Sequence, residues 1–317
     1  DFTGGAPEDT LMGAAVGDVG QYYGLPTQCG VNSSGAKEPS WQSALDDTTQ
    51  QVLAVAASSE VHSSVRMAAR MLGLRFVELP VDADFRLTAD AVRVLDGVNP
   101  VRVCAVVVTA GTTNVGAIDD LRGIGAWCRE RGIWMHVDAA YGGGALAVAD
   151  ARQMFDGIAL ADSVVIDPHK WLFSTLDCSA LLYREPAEAK ALFGQRAAYI
   201  ESAVGGETWD PSNYAPHFTR RCRGLPFWFS LVARGTEAIG RDVARGMNLA
   251  QATAEIVRGE RDLELVTEPV LSIVVFRRVG WGRGDYERWA ARLLEAGIAF
   301  VAPTTVRGEA AMRFCFI

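Results

Sequence analysis

The chain is predicted to be an α/β protein with a mostly parallel sheet covered by helices, and three observations lead there. Strand-like and helix-like segments alternate through the middle of the chain, the rhythm of β-α-β units. The run Val101–Thr109 (VRVCAVVVT) is continuous and β-branched, as in a strand buried on both faces. Polar clusters then sit at strand ends, where open parallel sheets place their ligands. Taken in order, Val52–Ala56 is a short apolar run. His62–Leu72 has helical spacing at Val65, Ala68, Ala69 and Leu72, with serines at its start and Gly73 as a stop. Arg75–Leu79 is a short strand. Asp119 is placed to cap a helix running to about Arg131, which Gly132 ends. Ile133–Val137, Ser163–Ile166 and Ala180–Tyr183 complete the strands of this part.

Beyond about Arg223 the texture changes. A long helical stretch covers Leu225–Val257, followed by an apolar strand Leu271–Phe276 and an amphipathic helix Tyr286–Ala296. Two strand-like runs follow, Ala299–Ala302 and Ala311–Ile317. The expected division is a large domain over residues 1–226 and a small C-terminal α+β domain over 227–317. The connection Gln195–Thr219 is long and holds Gly205, Gly206, Pro211 and Pro216, the composition of a functional loop.

Composition narrows the function classes. The 317 residues carry 30 basic and 38 acidic side chains, a formal net charge of −8 with both signs interspersed. That argues against nucleic-acid binding, which draws on basic patches. It leaves room for an anionic small ligand held by backbone N–H groups. The six cysteines include no C-x-x-C pair, so buried reduced thiols are expected rather than a metal site. No stretch is long and apolar enough to span a bilayer, and the first residues lack a signal-peptide pattern, so the chain reads as cytoplasmic, without a membrane partner.

Thr109–Asn114 (TAGTTN) follows the strand VRVCAVVV, Asp138 ends the strand IWMHV, and Asp167, His169 and Lys170 follow SVVI. A lysine at such a strand end lacks a packing reason, because lysine is seldom buried unless paired or reactive. An aspartate ending one strand and a His-Lys pair ending the next suit pyridoxal 5′-phosphate (PLP). That cofactor needs an amine for its aldehyde, an acid for its ring nitrogen, donors for its phosphate and a flat group on its ring face. Lys170, Asp138, the loop Ser33–Ala36 and His62 are the candidates for those roles.

These residues lie in longer motifs. HVDAAYGG (His136–Gly143) followed by ADSVVIDPHKWLF (Ala161–Phe173) resembles the group II PLP-dependent amino-acid decarboxylases, nearest to the aromatic-L-amino-acid and diaminobutyrate branch. The resemblance extends through TAGTTNVGAIDD (Thr109–Asp120), SSEVHSSVRMAARMLG (Ser58–Gly73) and NYAPHFTRRCRGLPFWFSL (Asn213–Leu231). It implies the PLP-dependent transferase fold, type I, with a sheet of the seven-stranded type. It also implies a homodimer and a decarboxylase acting on an L-amino acid, aromatic first and 2,4-diaminobutyrate second. By the same resemblance Lys170 would hold the cofactor as a Schiff base and Asp138 would pair with its ring nitrogen. His62 would stack on the outer face, with Ala140 on the inner one. Thr113 would lie near the phenolic oxygen and the substrate carboxylate, and Asp167 and His169 near the phosphate.

The chain departs from the family pattern in three places. The family's phosphate loop reads S-G-G-[ST]-E, and the counterpart here, Ser34, Gly35, Ala36 and Lys37, puts a lysine where a small hydroxyl residue is expected. The family's usual termini extend beyond this chain at both ends. Tyr214 stands in the matching stretch for the loop tyrosine that protonates the reacting carbon, a role it shares here with a packing role; His62 is the other candidate acid. Loss of that tyrosine in plant members diverts the reaction to an aldehyde. Two alternatives therefore stand beside decarboxylation: a different PLP reaction on the same fold, or a degenerate, non-catalytic relative.

Overall fold

The computed structural model describes residues 52–97, 101–194, 210–216 and 219–317. A six-stranded sheet is built from β1 (Val52–Ser58), β2 (Arg75–Leu79), β3 (Val101–Thr109), β4 (Trp134–Asp138), β5 (Ser163–Ile166) and β6 (Ala180–Tyr183). Its order is β2-β1-β3-β4-β5-β6, with β6 alone antiparallel to its neighbour. The apolar run of β3 lies at the centre and is buried from Cys104 onward, as its β-branched composition requires. β4 is buried along its whole length. One core cluster packs Val106, Val108, Met135 and Val137 against Leu121, Ile124 and Trp127 of the crossover helix Leu121–Arg131.

Most sequence-based boundaries hold to within a few residues. Helix α1 runs Ser63–Met71, α2 Ala89–Arg93 and α3 Leu121–Arg131. Helix α3 ends on Gly132 in the left-handed conformation, φ 62°, which glycine adopts without strain. Its N-cap, however, is Asp120, whose side chain accepts from Gly123 N. Asp119 is instead buried, accepting from Thr109 N at 2.6 Å and Leu87 N at 2.7 Å. It thereby clamps the end of β3 to the segment before α2.

That burial raises the Asp119 carboxyl from 3.8 to about 7 despite its two donors. Between those values the folded chain holds a proton that the unfolded chain has released, so stability falls as pH rises through that window. Asp119→Asn would turn an NH2 group toward one of the two backbone N–H donors, costing about 1–3 kcal/mol. It would also flatten the pH slope, which urea denaturation at pH 5 and pH 7 measures. An unchanged slope would place the titration elsewhere.

After α4 (Pro186–Phe193), the helical stretch expected over Leu225–Val257 is two helices, α5 (Gly224–Arg234) and α6 (Thr236–Gly259). Gly235 breaks it with φ 78° and ψ 149°, outside the helical region. The buried face of α6 is Ile239, Val243, Gly246, Ala250, Ala254 and Val257, a three-and-four spacing. By contrast, α5 buries no residue, and Leu225, Trp228, Phe229 and Val232 are exposed. A second sheet, β7-β8-β10-β9, is antiparallel and consists of β7 (Leu263–Leu265), β8 (Ile273–Arg278), β9 (Ala302–Val306) and β10 (Glu309–Cys315). Helix α7 (Arg283–Glu295) packs on it. The run Ala299–Ala302 therefore enters its strand only at the last residue. Ala299 bonds back to Leu293 O, and pairing with β10 begins at Ala302. Among the described residues no helix is long and apolar enough to cross a membrane. Cys104 and Cys128 are buried thiols as expected, whereas Cys222 is exposed.

Candidate active site

The carboxyl ends of β3, β4 and β5 meet at one place because these strands are parallel neighbours in register, Thr109 beside Asp138 and Asp138 beside Val165. Asp138 is 5% exposed, and its Oδ1 accepts from Ala140 N at 3.1 Å. Burial pushes its carboxyl above the usual range; that hydrogen bond and the Lys170 charge pull it back only in part. A cation docked against Asp138 would complete its stabilisation.

The segment after β5 is held by its own turn. Asp167 N donates to Ala140 O at 3.1 Å, and Lys170 N donates to Asp167 O at 2.9 Å. Lys170 Nζ thereby lies 2.8 Å from Asp167 Oδ2 with its side chain 25% exposed. That contact is an ion pair by distance but is not aligned as a hydrogen bond, since Asp167 Oδ2 has no hydrogen-bond partner. The other oxygen of Asp167 accepts from the Ser179 hydroxyl. His169 Nδ1 is 2.6 Å from Cys178 O, while its Nε2 is buried and unbonded. The loop Cys178–Ser179 thus fixes both residues that flank Lys170.

His62 occupies the N-cap of α1, where its Nδ1 accepts from Ser64 N at 3.3 Å and lies 2.8 Å from Ser64 Oγ. Capping orients the ring toward the site. Desolvation lowers its pKa most, and the charges of Asp138, Lys170 and Asp167 all act on it. The imidazole is therefore biased to its neutral form. His62 also lines a cavity of about 510 Å³ with Thr113, Asn114, Thr304 and Arg313. Thr113 sits exposed on the turn after β3, whose geometry is fixed by Gly111 N and Thr112 N both donating to Ala117 O.

The small residues after Asp138 have a packing cause. A Cβ on Gly142 would come within 2.1 Å of Ala110 O, so only glycine lets this backbone cross so close to β3. Ala140 is buried with Val165 below Asp138. Tyr141 stacks on Trp171 at 5.1 Å, and its hydroxyl meets Ser272 at the second sheet.

The structure thus brings Lys170, Asp138, Asp167, His169, Ala140 and His62 together, with Thr113 at the cavity beside His62. Tyr214 is placed half-buried on the short turn Pro211–Tyr214 against α4, and it does not line that cavity. Ser34, Gly35, Ala36 and Lys37 lie outside the described residues. Sequence reading missed Arg313, which enters the cavity from β10 and whose buried Nε has no hydrogen-bond partner. Its sequence signal was weak: one arginine inside the apolar strand MRFCFI.

The donor set fits PLP. Asp138 is buried with its carboxyl pushed above the usual range, Asp167 Oδ2 and His169 Nε2 are buried without hydrogen bonds, and Lys170 is the one lysine among the described residues at these strand ends.

Comparison with known proteins agrees. Residues 34–279 match the family described as the pyridoxal-dependent decarboxylase conserved domain. Histidine decarboxylase of Mus musculus is 31% identical over 263 residues, covering 81% of this chain and 39% of the relative. Aromatic-L-amino-acid decarboxylase of Drosophila lebanonensis is 31% identical over 275 residues, covering 85% and 66%. The crystal structure of Oryza sativa TDC with PLP and tryptamine superposes with a TM-score of 0.81 at 25% identity, covering 98% of this chain and 64% of that one. This chain therefore spans about two fifths of the length of the first of these relatives.

Proposed function

The chain belongs to the pyridoxal-dependent decarboxylase family, and on that premise we propose that it decarboxylates an L-amino acid to the amine and carbon dioxide. The observation that carries the reading is the meeting of Lys170, Asp138 and His62, which follow or end β5, β4 and β1 respectively. When bound, PLP supplies an aldehyde that an amine can hold and a ring that accepts the electrons of the breaking Cα–carboxylate bond.

The chain's own groups do the rest. Lys170 would hold the aldehyde through its Nζ, which its neighbour Asp167 keeps in place. Asp138, buried and fixed by Ala140 N, would keep a proton on the ring nitrogen. His62 would cover one ring face and Ala140 the other. Arg313 and Thr113 bind and orient the carboxylate from the cavity side. In its protonated form the His62 imidazole would carry a proton to Cα from that face, against the bias of its surroundings toward the neutral form; His62 lines the cavity and Tyr214 does not, which makes it the acid favoured here. Turnover in His62→Ala is expected to fall by about 10²-fold or more. His62→Phe should regain cofactor affinity but not rate. Equal rates in His62→Phe and the parent would remove His62 from proton transfer.

The side chains acted on by the relatives make an aromatic or imidazole group the leading substrate class. Product analysis tests the reaction: amine and carbon dioxide support it, whereas aldehyde with peroxide would assign the oxidative alternative. We also propose a homodimer, for which the exposed apolar face of α5 (Leu225, Trp228, Phe229 and Val232) provides surface.

A further inference from the structure

The cavity beside His62 contains one guanidinium and one carboxylate, and neither is joined to the other or to an opposite charge by an ion pair among the described residues. Arg313 enters from β10, and its Nε is buried without a hydrogen bond. Glu60 enters from the loop between β1 and α1, two residues before His62. No ion pair joins Glu60 to another described residue.

The neighbours of Glu60 are committed elsewhere. Arg307, whose charge acts on it, donates to Asp82 O and Ala83 O at 2.9 Å and lies 4.2 Å over the Phe85 ring. Asn114 directs its amide nitrogen to Thr305 O at 3.1 Å and accepts from the Thr304 hydroxyl, leaving one N–H for Glu60. Burial consequently outweighs both neighbours and holds the Glu60 carboxyl above its ordinary value. A cation entering the cavity would relieve that desolvation. No aromatic ring other than the His62 imidazole lines the described walls, whose remaining residues are Ser59, Val61, Ser63, Thr113, Asn114 and residues 302–305 of β9. A wholly apolar side chain would leave Glu60 and Asn114 without new partners.

We propose that this cavity selects amino acids whose side chain carries a second protonatable nitrogen, with Glu60 pairing to that nitrogen and Arg313 to the carboxylate. The inference rests on the decarboxylase reading and narrows its substrate class from aromatic or imidazole side chains to those bearing a basic nitrogen. Glu60 is a specificity residue on this account: it touches the substrate's far end and not the bond that breaks.

The test compares near-isosteric pairs on the PLP-loaded protein, L-2,4-diaminobutyrate against L-norvaline and L-histidine against L-phenylalanine. Both carbon dioxide release and equilibrium binding by calorimetry are read. A preference for the nitrogen-bearing member on the order of 10²-fold is expected in at least the first pair. Glu60→Gln should collapse that ratio to within about tenfold, and Glu60→Asp should retain part of it. Equal binding of diaminobutyrate and norvaline, or a ratio that Glu60→Gln leaves unmoved, overturns the inference even if decarboxylation is observed. A calorimetric preference without carbon dioxide release would keep the inferred cavity and remove the decarboxylase reading instead.

Discussion

Lys170→Ala is expected to abolish turnover, at least about 10⁴-fold, while the far-UV spectrum and the unfolding transition stay close to the parent's. The size of the effect follows from chemistry that no other described group supplies. The chain has three lysines, Lys37, Lys170 and Lys190, and Lys190 lies on α4, remote in the chain from the strand-end cluster. Arginine cannot replace it, because a guanidinium stays protonated and does not attack an aldehyde. The fold should survive, since Lys170 is partly exposed and its packing partners are Asp167 and the turn it begins. Added primary amines should restore a small fraction of the rate to the alanine variant. Full activity in Lys170→Ala would remove this lysine from the mechanism.

Asp138→Ala ranks second, with an expected loss of about 10²- to 10³-fold in kcat and a weakened hold on PLP. A carboxylate buried at the end of β4 would act on a ring nitrogen in surroundings that screen little. Without it that nitrogen would hold its proton less firmly, and the ring would withdraw electrons less effectively. Asp138→Glu should recover little, because Ala140 N and the register with Thr109 fix where a carboxyl can sit. Kinetics of the two variants, each with its PLP dissociation constant, check this. A kcat within tenfold of the parent in Asp138→Ala would contradict the role.

The sequence made the large sheet legible because its strands are short apolar runs set between helices with clear end signals. Val101–Thr109, Arg75–Leu79, Ser163–Ile166 and Ala180–Tyr183 were bounded correctly by composition alone. Two features were not legible. Leu225–Val257 reads as one helix because Arg-Gly-Thr inside a helical pattern is only a weak break, and the position of Gly235 outside the helical region is settled by packing. Asp119 and Asp120 are adjacent and equally good caps on paper; the choice turns on Thr109 N and Leu87 N, donors brought close only by the tertiary fold.

At the candidate site, Lys170, Asp138 and His62 stand out in the sequence because their motifs are dense and specific. Arg313 and Glu60 do not. Glu60 sits inside the motif of His62 with no role of its own there, Arg313 is a lone charge in an apolar strand, and their shared cavity forms only when β9 and β10 of the second sheet close over the loop before α1. His62 illustrates how two readings combine. It is the helix cap that its position suggests, and that cap holds the imidazole where the charges of Asp138 and Lys170 act on it.

The most direct test of the central claim is the visible spectrum of the protein with PLP, followed by borohydride reduction and mapping of the labelled peptide. A visible band that reduction fixes onto Lys170 is the expected result. No band, or a label on Lys37 or Lys190, would contradict the assignment of this strand-end cluster as a PLP site.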